Sequence, residues 1–189
     1  MYYKHLKLTI PPVLDLSLMS QLPDKGHVPI NTSYINPELI EFMYSRGIRI
    51  KNADVFCSPP GFELGIHVDG IALNNNVAIN WAYCEEKGSV MQWWKPKSEE
   101  AKVVDPSAQK DAYGITTTPY ALGWTEDEVD FLAEVEVQQP TLVNIGIPHG
   151  MKNRTNSHRK ALSLTWKYEN GELEWDDAIN LLGDLIEES

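Results

Sequence analysis

The residues best equipped for chemistry are His67 and Asp69, a His-x-Asp pair in the phrase IHVDG. Two residues apart on a strand, both side chains leave the same face and can converge on one ion. Five histidines and 27 acids in 189 residues would produce about 0.7 such pairs by accident, so context must carry the assignment. The pair closes an apolar run and is followed by Gly70, a turn residue. His149, at the end of the run TLVNIGIPH, is the best third ligand, although by itself it carries no motif and reads by default as a satisfied core histidine. His5 among N-terminal lysines, His27 in the loop PDKGHVP and His158 in the hairpin NRTNSH read as surface residues. Two imidazoles and one carboxylate leave positions open on an ion, which suits a non-haem Fe(II) centre that activates oxygen. Cys57 and Cys84 form no CxxC pair for structural zinc and read as small core residues.

Arg159 follows His149 by ten residues, across the polar hairpin GMKNRTNSH, and opens the strand RKALSLTWKY. A planar guanidinium with fixed charge matches a carboxylate held in a pocket better than lysine would. Seen alone, it also reads as one of a basic patch of Lys152, Arg154, Arg159 and Lys160.

The elements that must position these groups are mostly strands. Alternation and turn signals place strands near 4–10, 48–57, 61–69, 77–84, 88–95, 131–138, 141–149 and 159–168. So many short strands suggest a sandwich or barrel. Three of them have one bulky and one small or polar face. In 62–69, Phe62, Leu64, Ile66 and Val68 oppose Glu63, Gly65, His67 and Asp69. In 77–84, Val77, Ile79, Trp81 and Tyr83 oppose Ala78, Asn80, Ala82 and Cys84. In 159–168, Lys160, Leu162, Leu164, Trp166 and Tyr168 oppose Arg159, Ala161, Ser163 and Thr165. The bulky faces are expected to pack under helices and the small ones to line a cavity.

One helix is expected from Asn36 as N-cap and Pro37 at the first position to Gly47. A second, acidic helix is expected within 172–189, with Trp175, Ala178, Ile179, Leu182, Leu185 and Ile186 on one face. Residues 95–130 lack periodicity, carry Tyr113, Tyr120 and Trp124, and read as a lid or insert in an otherwise single domain spanning 1–189. Trp93 and Trp94 face opposite ways, so no more than one can reach the interior pocket.

The net charge of −11 argues against a broad nucleic-acid surface. Residues 169–189 hold eight of the acids and no Lys or Arg, leaving 16 basic against 19 acidic residues elsewhere. No apolar run is long enough for a membrane helix and the N-terminus does not look like a signal peptide, so a soluble, cytoplasmic protein is expected.

In order and spacing, His67-x-Asp69, His149 and Arg159, embedded in IHVDG and TLVNIGIPHGMKN…RKALSLTW, resemble the 2-oxoglutarate/Fe(II)-dependent oxygenase superfamily over roughly 55–168. The resemblance implies a mainly β fold, a double-stranded β-helix (jelly roll) with flanking helices. It implies that His67, Asp69 and His149 bind Fe(II), that 2-oxoglutarate chelates the metal, and that its 5-carboxylate meets Arg159. With O2 it would yield succinate and CO2 and oxidise an unidentified organic substrate. Retention of the carboxylate ligand Asp69 favours hydroxylation over halogenation. Many relatives carry Ser or Thr two residues after the arginine; this chain has Ala161, so the second partner of the 5-carboxylate must come from elsewhere. Asn80, the one amide on its face, is the candidate for a supporting contact to 2-oxoglutarate.

Two other classes fit the same residues: a cupin-like metalloprotein that does not use 2-oxoglutarate, and a non-catalytic jelly-roll binding domain. Arg159 separates the first from the oxygenase. The substrate could be a small molecule, an amino acid or a protein side chain, and the basic hairpin hints at an anionic group on it. Oligomeric state is not readable from the sequence.

Overall fold

Val77, Ile79 and Trp81 alternate with Ala78, Asn80 and Ala82 along one strand, and this two-residue period organises the molecule. In the computed structural model, which describes residues 1–69, 76–84, 86–98, 102–104 and 121–188, two antiparallel sheets face each other. The elements in chain order begin with β1 (Tyr3–His5), α1 (Ser17–Gln21), β2 (Gly26–Pro29), α2 (Pro37–Ser45) and β3 (Ile48–Ser58). They continue with β4 (Glu63–Val68), β5 (Val77–Tyr83), β6 (Ser89–Pro96), β7 (Lys102–Val104), β8 (Ala121–Trp124) and β9 (Val129–Glu136). β10 (Thr141–Asn144), β11 (His149–Asn153), β12 (Arg159–Tyr168), β13 (Gly171–Glu172) and α3 (Trp175–Leu181) complete the chain.

The larger sheet runs β1-β10-β5-β12-β3-β2, with β13 paired to β12; the smaller runs β7-β8-β4-β11-β6-β9. From β3 to β6, and again from β9 to β12, successive strands alternate between the two sheets.

The outer face of the larger sheet packs beneath the helices. Val55, Ile79, Leu142, Leu162, Leu164 and Trp166 meet Met19 of α1, Leu39 and Met43 of α2, and Ala178 and Leu182 at α3. Full burial of each large aliphatic side chain contributes about 1.5–3 kcal/mol, so this layer is the main source of cohesion. Asn36 caps α2 through its side chain, which accepts from Glu38 N–H at 3.0 Å. Gly47 ends that segment at φ +81, a conformation open to glycine.

Between the sheets, Ala78, Val143 and Ile145 pack on Met91, Trp93 and Val135. This apolar filling closes the β10/β5 side of the sandwich against β6 and β9. On β12 and β3, Arg159, Ser163 and Asp54 share the face opposite the helices with Ala161 and Phe56.

Several expectations change. The bulky face of β4 does not lie under helices. β4 belongs to the smaller sheet, and Ile66 packs outward on Trp94, Val129 and Trp124. The expected strand 141–149 is two strands. The Asn144 side chain accepts from Gly146 N–H at 3.1 Å and turns the chain, so His149 opens β11 instead of closing β10. The N-terminal strand stops at His5, after which Leu6 N–H bonds Pro140 O at 2.8 Å.

The C-terminal helix ends at Leu181, ahead of Gly183, where Arg46 donates to the Leu181 carbonyl at 2.9 Å. Ile186 then bridges to Leu6. Of the irregular 95–130 segment, the described parts extend β6 and form β7, β8 and the start of β9. Gly70, Tyr113 and Tyr120 lie outside the described residues. No described helix is long and apolar enough to cross a membrane.

Candidate metal centre

His67 and His149 are register partners on the adjacent antiparallel strands β4 and β11, so both imidazoles leave the same face of the smaller sheet. Their ring centroids are 4.6 Å apart at an interplanar angle of 46°. Each ring is anchored by the carbonyl two residues before it: His67 Nδ1–H donates to Gly65 O at 2.7 Å, and His149 Nδ1–H to Ile147 O at 3.0 Å. A carbonyl only accepts, so the neutral rings carry the proton on Nδ1 and turn a lone pair outward from Nε2.

Asp69, just beyond β4, meets both lone pairs. Its Oδ1 is 3.5 Å from His67 Nε2 and 4.0 Å from His149 Nε2. The three ligand atoms lie within 4.8 Å of one another. Two aimed Nε2 atoms and a carboxylate, each on a rigid or strand-adjacent position, are a donor set that could hold a divalent first-row ion.

The electrostatics agree. Burial disfavours charge on all three groups, but the hydrogen bond and charge of Asp69 outweigh it at His67, whose pKa is raised. Burial and the two imidazoles act oppositely on Asp69, and the imidazoles win, holding its carboxyl below the usual range. Burial and then the neighbouring His67 charge push His149 down to about 4, so it is neutral at pH 7.

Close packing sets the position of His149. A Cβ on Gly150 would lie 2.8 Å from Leu64 O and 3.3 Å from the Trp94 ring, and the register of β11 on β4 shifts between His149 and Met151. Glycine allows the two backbones this approach.

Arg159 is 3% exposed and opens β12 opposite Ser58 of β3. Among the described residues its guanidinium makes no ion pair, and its Nε, buried, has no hydrogen-bond partner. Burial pushes its pKa down to about 10, so it remains a cation at pH 7. A buried charge without a partner is costly, and an incoming carboxylate would relieve that cost.

The hairpin before it is rigid: Asn153 Nδ2–H donates to Ser58 O, Pro59 O and Ser157 O at 3.0, 3.0 and 2.9 Å. Ala82, Cys84, Lys87, Ser89, Glu136 and Val137 line a cavity of about 230 Å³ whose lining includes neither Arg159 nor the His67/Asp69/His149 cluster. Ala82 and Cys84 come from the small-residue face of β5.

Asn80 is 7% exposed and shares its row with Asp54, Ser163 and Thr141 across four strands of the larger sheet. Its Nδ2–H reaches Met91 Sδ at 3.2 Å, and its buried Oδ1 has no partner among the described residues. Trp93 faces inward and donates from Nε1 to Asn144 O at 2.7 Å, whereas Trp94 packs outward.

The basic patch does not present free charge. Lys152 pairs with Glu63 and Glu126 at 3.3 and 3.5 Å. Arg154 makes a two-pronged contact to Glu134 at 2.8 and 2.7 Å. Lys160, on the opposite face from Arg159, donates to Met19 O and Leu22 O. The anionic substrate group inferred from that patch therefore loses its basis.

His27 is not a loop surface residue but sits on β2, with Nε2 2.6 Å from Asp54 Oδ1. The alternation of Val28 and Val55 with polar neighbours was the available signal, obscured by Pro23, Gly26 and Pro29.

No family model and no curated protein sequence matches this chain. Among solved structures it is similar to AviO1 from Streptomyces viridochromogenes Tue57, at 14% identity and a TM-score of 0.39 over 72% of this chain and 59% of that one. It thus spans less than two thirds of AviO1. It is also similar to the epimerase SnoN, solved with Fe3+, alpha ketoglutarate and nogalamycin RO, at 13% identity and a TM-score of 0.48 over 87% and 78%. A third is an oxidoreductase of the 2OG-Fe(II) oxygenase family from Burkholderia pseudomallei, at 10% identity and a TM-score of 0.43 over 82% and 78%. Likeness at this level does not carry a function; the side chains must.

Proposed function

We propose that this chain is an Fe(II)- and 2-oxoglutarate-dependent oxygenase that hydroxylates an organic substrate. The observation that carries this reading is the pairing of two features inside one sandwich: a His67/Asp69/His149 cluster and a buried Arg159 that makes no ion pair among the described residues. Neither feature alone would single out this chemistry. A metal site needs no buried arginine, and an arginine left without a carboxylate in a protein interior needs an anion from outside.

His67, Asp69 and His149 would hold the metal on one side, with the Nδ1 anchors fixing both rings before it arrives. When bound, iron and 2-oxoglutarate supply activation of O2 with conversion of the keto acid to succinate and CO2. Arg159 would bind the 5-carboxylate in a region from which water is largely excluded, and its fork would orient the diacid. Asn80, with an open Oδ1 and a weak sulfur acceptor, would support the bound keto acid. Retention of Asp69 leaves no vacancy for a halide, so hydroxylation is the proposed outcome.

The strand alternation between the two sheets supports a double-stranded β-helix spanning 1–189 as one domain. We take 95–130 as its insert and 172–189 as its acidic tail. A cupin-like metalloprotein would have the metal ligands without a use for Arg159. The test is turnover in air with Fe(II): 2-oxoglutarate should be converted to succinate by the parent protein and not by Arg159→Ala. A metal-bound parent that forms no succinate, or a variant that forms as much, would remove the proposal.

A further inference from the structure

We propose that Trp93, Tyr3 and Tyr2 form an oxidation relay, a set of touching electron-rich rings that delivers electrons to the metal centre when no organic substrate takes up its oxidising power. The inference rests on the His67/Asp69/His149 centre proposed above and adds an internal electron donor to it.

The relay begins with strand register. Trp93 of β6 is the direct partner of His149 on β11, and His149 is the partner of His67 on β4. The three side chains therefore form one row on the inner face of the smaller sheet, with Cβ atoms of opposed residues about 4.5–5.5 Å apart. Of the six tryptophans, Trp81, Trp166 and Trp175 belong to the helix layer and Trp94 and Trp124 to the outward face of the smaller sheet. Only Trp93 stands between the sheets. Tyr3 reaches it from the larger sheet, where it pairs with Val143 of β10, a residue packed between the sheets. The Tyr3 ring stacks on Trp93 with centroids 5.7 Å apart and planes 20° from parallel, and Tyr2 stacks on it at 6.4 Å and 21°. Both lie within the contact range of aromatic pairs, about 4.5–7 Å. Trp93 is fully buried and the two tyrosines are half-buried, so the rings lead from the proposed ligands toward solvent.

The chemistry suits a relay. Indole and phenol give up a single electron more readily than aliphatic, amide or phenyl side chains do. Transfer between them falls off steeply with distance, so ring contact decides the route. Trp93 Nε1–H donates to Asn144 O at 2.7 Å. A backbone carbonyl is too weak a base to take that proton, and the ring is closed to solvent. Oxidised Trp93 therefore keeps its proton and positive charge, and draws an electron from a tyrosine instead of resting as a neutral radical. A half-buried phenol can release its proton to solvent as it is oxidised. With hydrogen peroxide as oxidant the step balances. The O–O bond breaks, and two electrons and two protons turn peroxide into two waters. One electron comes from Fe(II), which becomes Fe(III). The other comes from Tyr2 or Tyr3 by way of Trp93, together with the phenolic proton, and solvent gives the second proton.

The test mixes Fe(II)-loaded protein with hydrogen peroxide, in the absence of O2 and 2-oxoglutarate, and reads electron paramagnetic resonance after rapid freezing. The parent should show a tyrosyl radical beside Fe(III). Trp93→Phe should form Fe(III) and lose the tyrosyl signal. The double variant Tyr2→Phe/Tyr3→Phe keeps both rings and should also lose it, and peptide mass mapping should find added oxygen on its Trp93. A tyrosyl signal undiminished in either variant, or surviving in His67→Ala, would overturn the relay. Fe(III) formed in the parent without a radical would overturn it too and leave the metal centre standing. If Trp93→Phe loses its iron or its circular dichroism, the double variant decides alone, and a Trp93 left unoxidised in it counts against the relay. A parent protein that binds no iron would remove relay and metal centre together.

Discussion

His67 and His149 stand directly opposite each other on neighbouring strands, each ring fixed by the carbonyl two residues before it, with Asp69 across from both Nε2 atoms. The two matching anchors turn both Nε2 atoms toward Asp69. His67→Ala or His149→Ala should therefore lower metal affinity at least about 100-fold, beyond the range typical of losing a supporting contact, with little change in far-UV circular dichroism. Unchanged metal content by elemental analysis would contradict the assignment.

Arg159 gives a prediction with an uncommon sign. Arg159 is buried, and among the described residues its guanidinium makes no ion pair and its Nε has no hydrogen-bond partner, so Arg159→Met removes an unpaired charge at similar volume. The metal-free variant should melt at or above the parent temperature while losing 2-oxoglutarate binding about 10- to 100-fold. A variant that melts well below the parent would show that the charge is compensated in the native state.

The proton count of the cluster sets a pH dependence. The pKa of His67 is raised because Asp69 outweighs burial, and the carboxyl of Asp69 is held down by both imidazoles. Stability from this pairing is present below the unfolded imidazole pKa of about 6.5 and lost as pH rises through the higher folded value. At about pH 7 and above the depressed His149 contributes little change, so metal-free protein should melt lower at about pH 9 than at about pH 7. Metal must displace the proton on His67, so Mn(II) affinity should rise over the same interval. Calorimetric titration in buffers of different ionisation enthalpy would count the proton released; none released would contradict the charge state.

Gly150 tests how tightly the backbone holds the site. An added Cβ would meet Leu64 O at 2.8 Å, a backbone atom that cannot swing aside. Gly150→Ala should cost about 1–3 kcal/mol as an overpacking substitution and weaken metal binding by displacing the neighbouring His149. Full stability with parent metal affinity would show that β11 has room to move.

Much of this arrangement was legible in the sequence because two-residue periodicity survives folding. The bulky faces of β5 and β12 emerged as read, since Ile79, Leu162 and Leu164 pack under the helices, whereas Ala78 of the small face joins the apolar filling between the sheets. β4 misled because periodicity says which residues share a face but not which sheet the strand joins. Its bulky Ile66 found Trp94 and Val129 instead of a helix.

His27 escaped for a related reason. A four-residue edge strand between Gly26 and Pro29 has the composition of a loop, and only pairing with β3 makes its alternation meaningful. The basic hairpin failed differently: charge along a chain does not reveal the Glu63, Glu126 and Glu134 brought to it from other strands.

The most direct test of the central claim is an anaerobic optical titration of the Fe(II)-loaded protein with 2-oxoglutarate. A weak visible charge-transfer band should grow to one equivalent in the parent and be absent from His67→Ala. In Arg159→Met it should require about 10- to 100-fold more diacid. Iron bound at one equivalent with no band in the parent, or a band indifferent to Arg159, would contradict it.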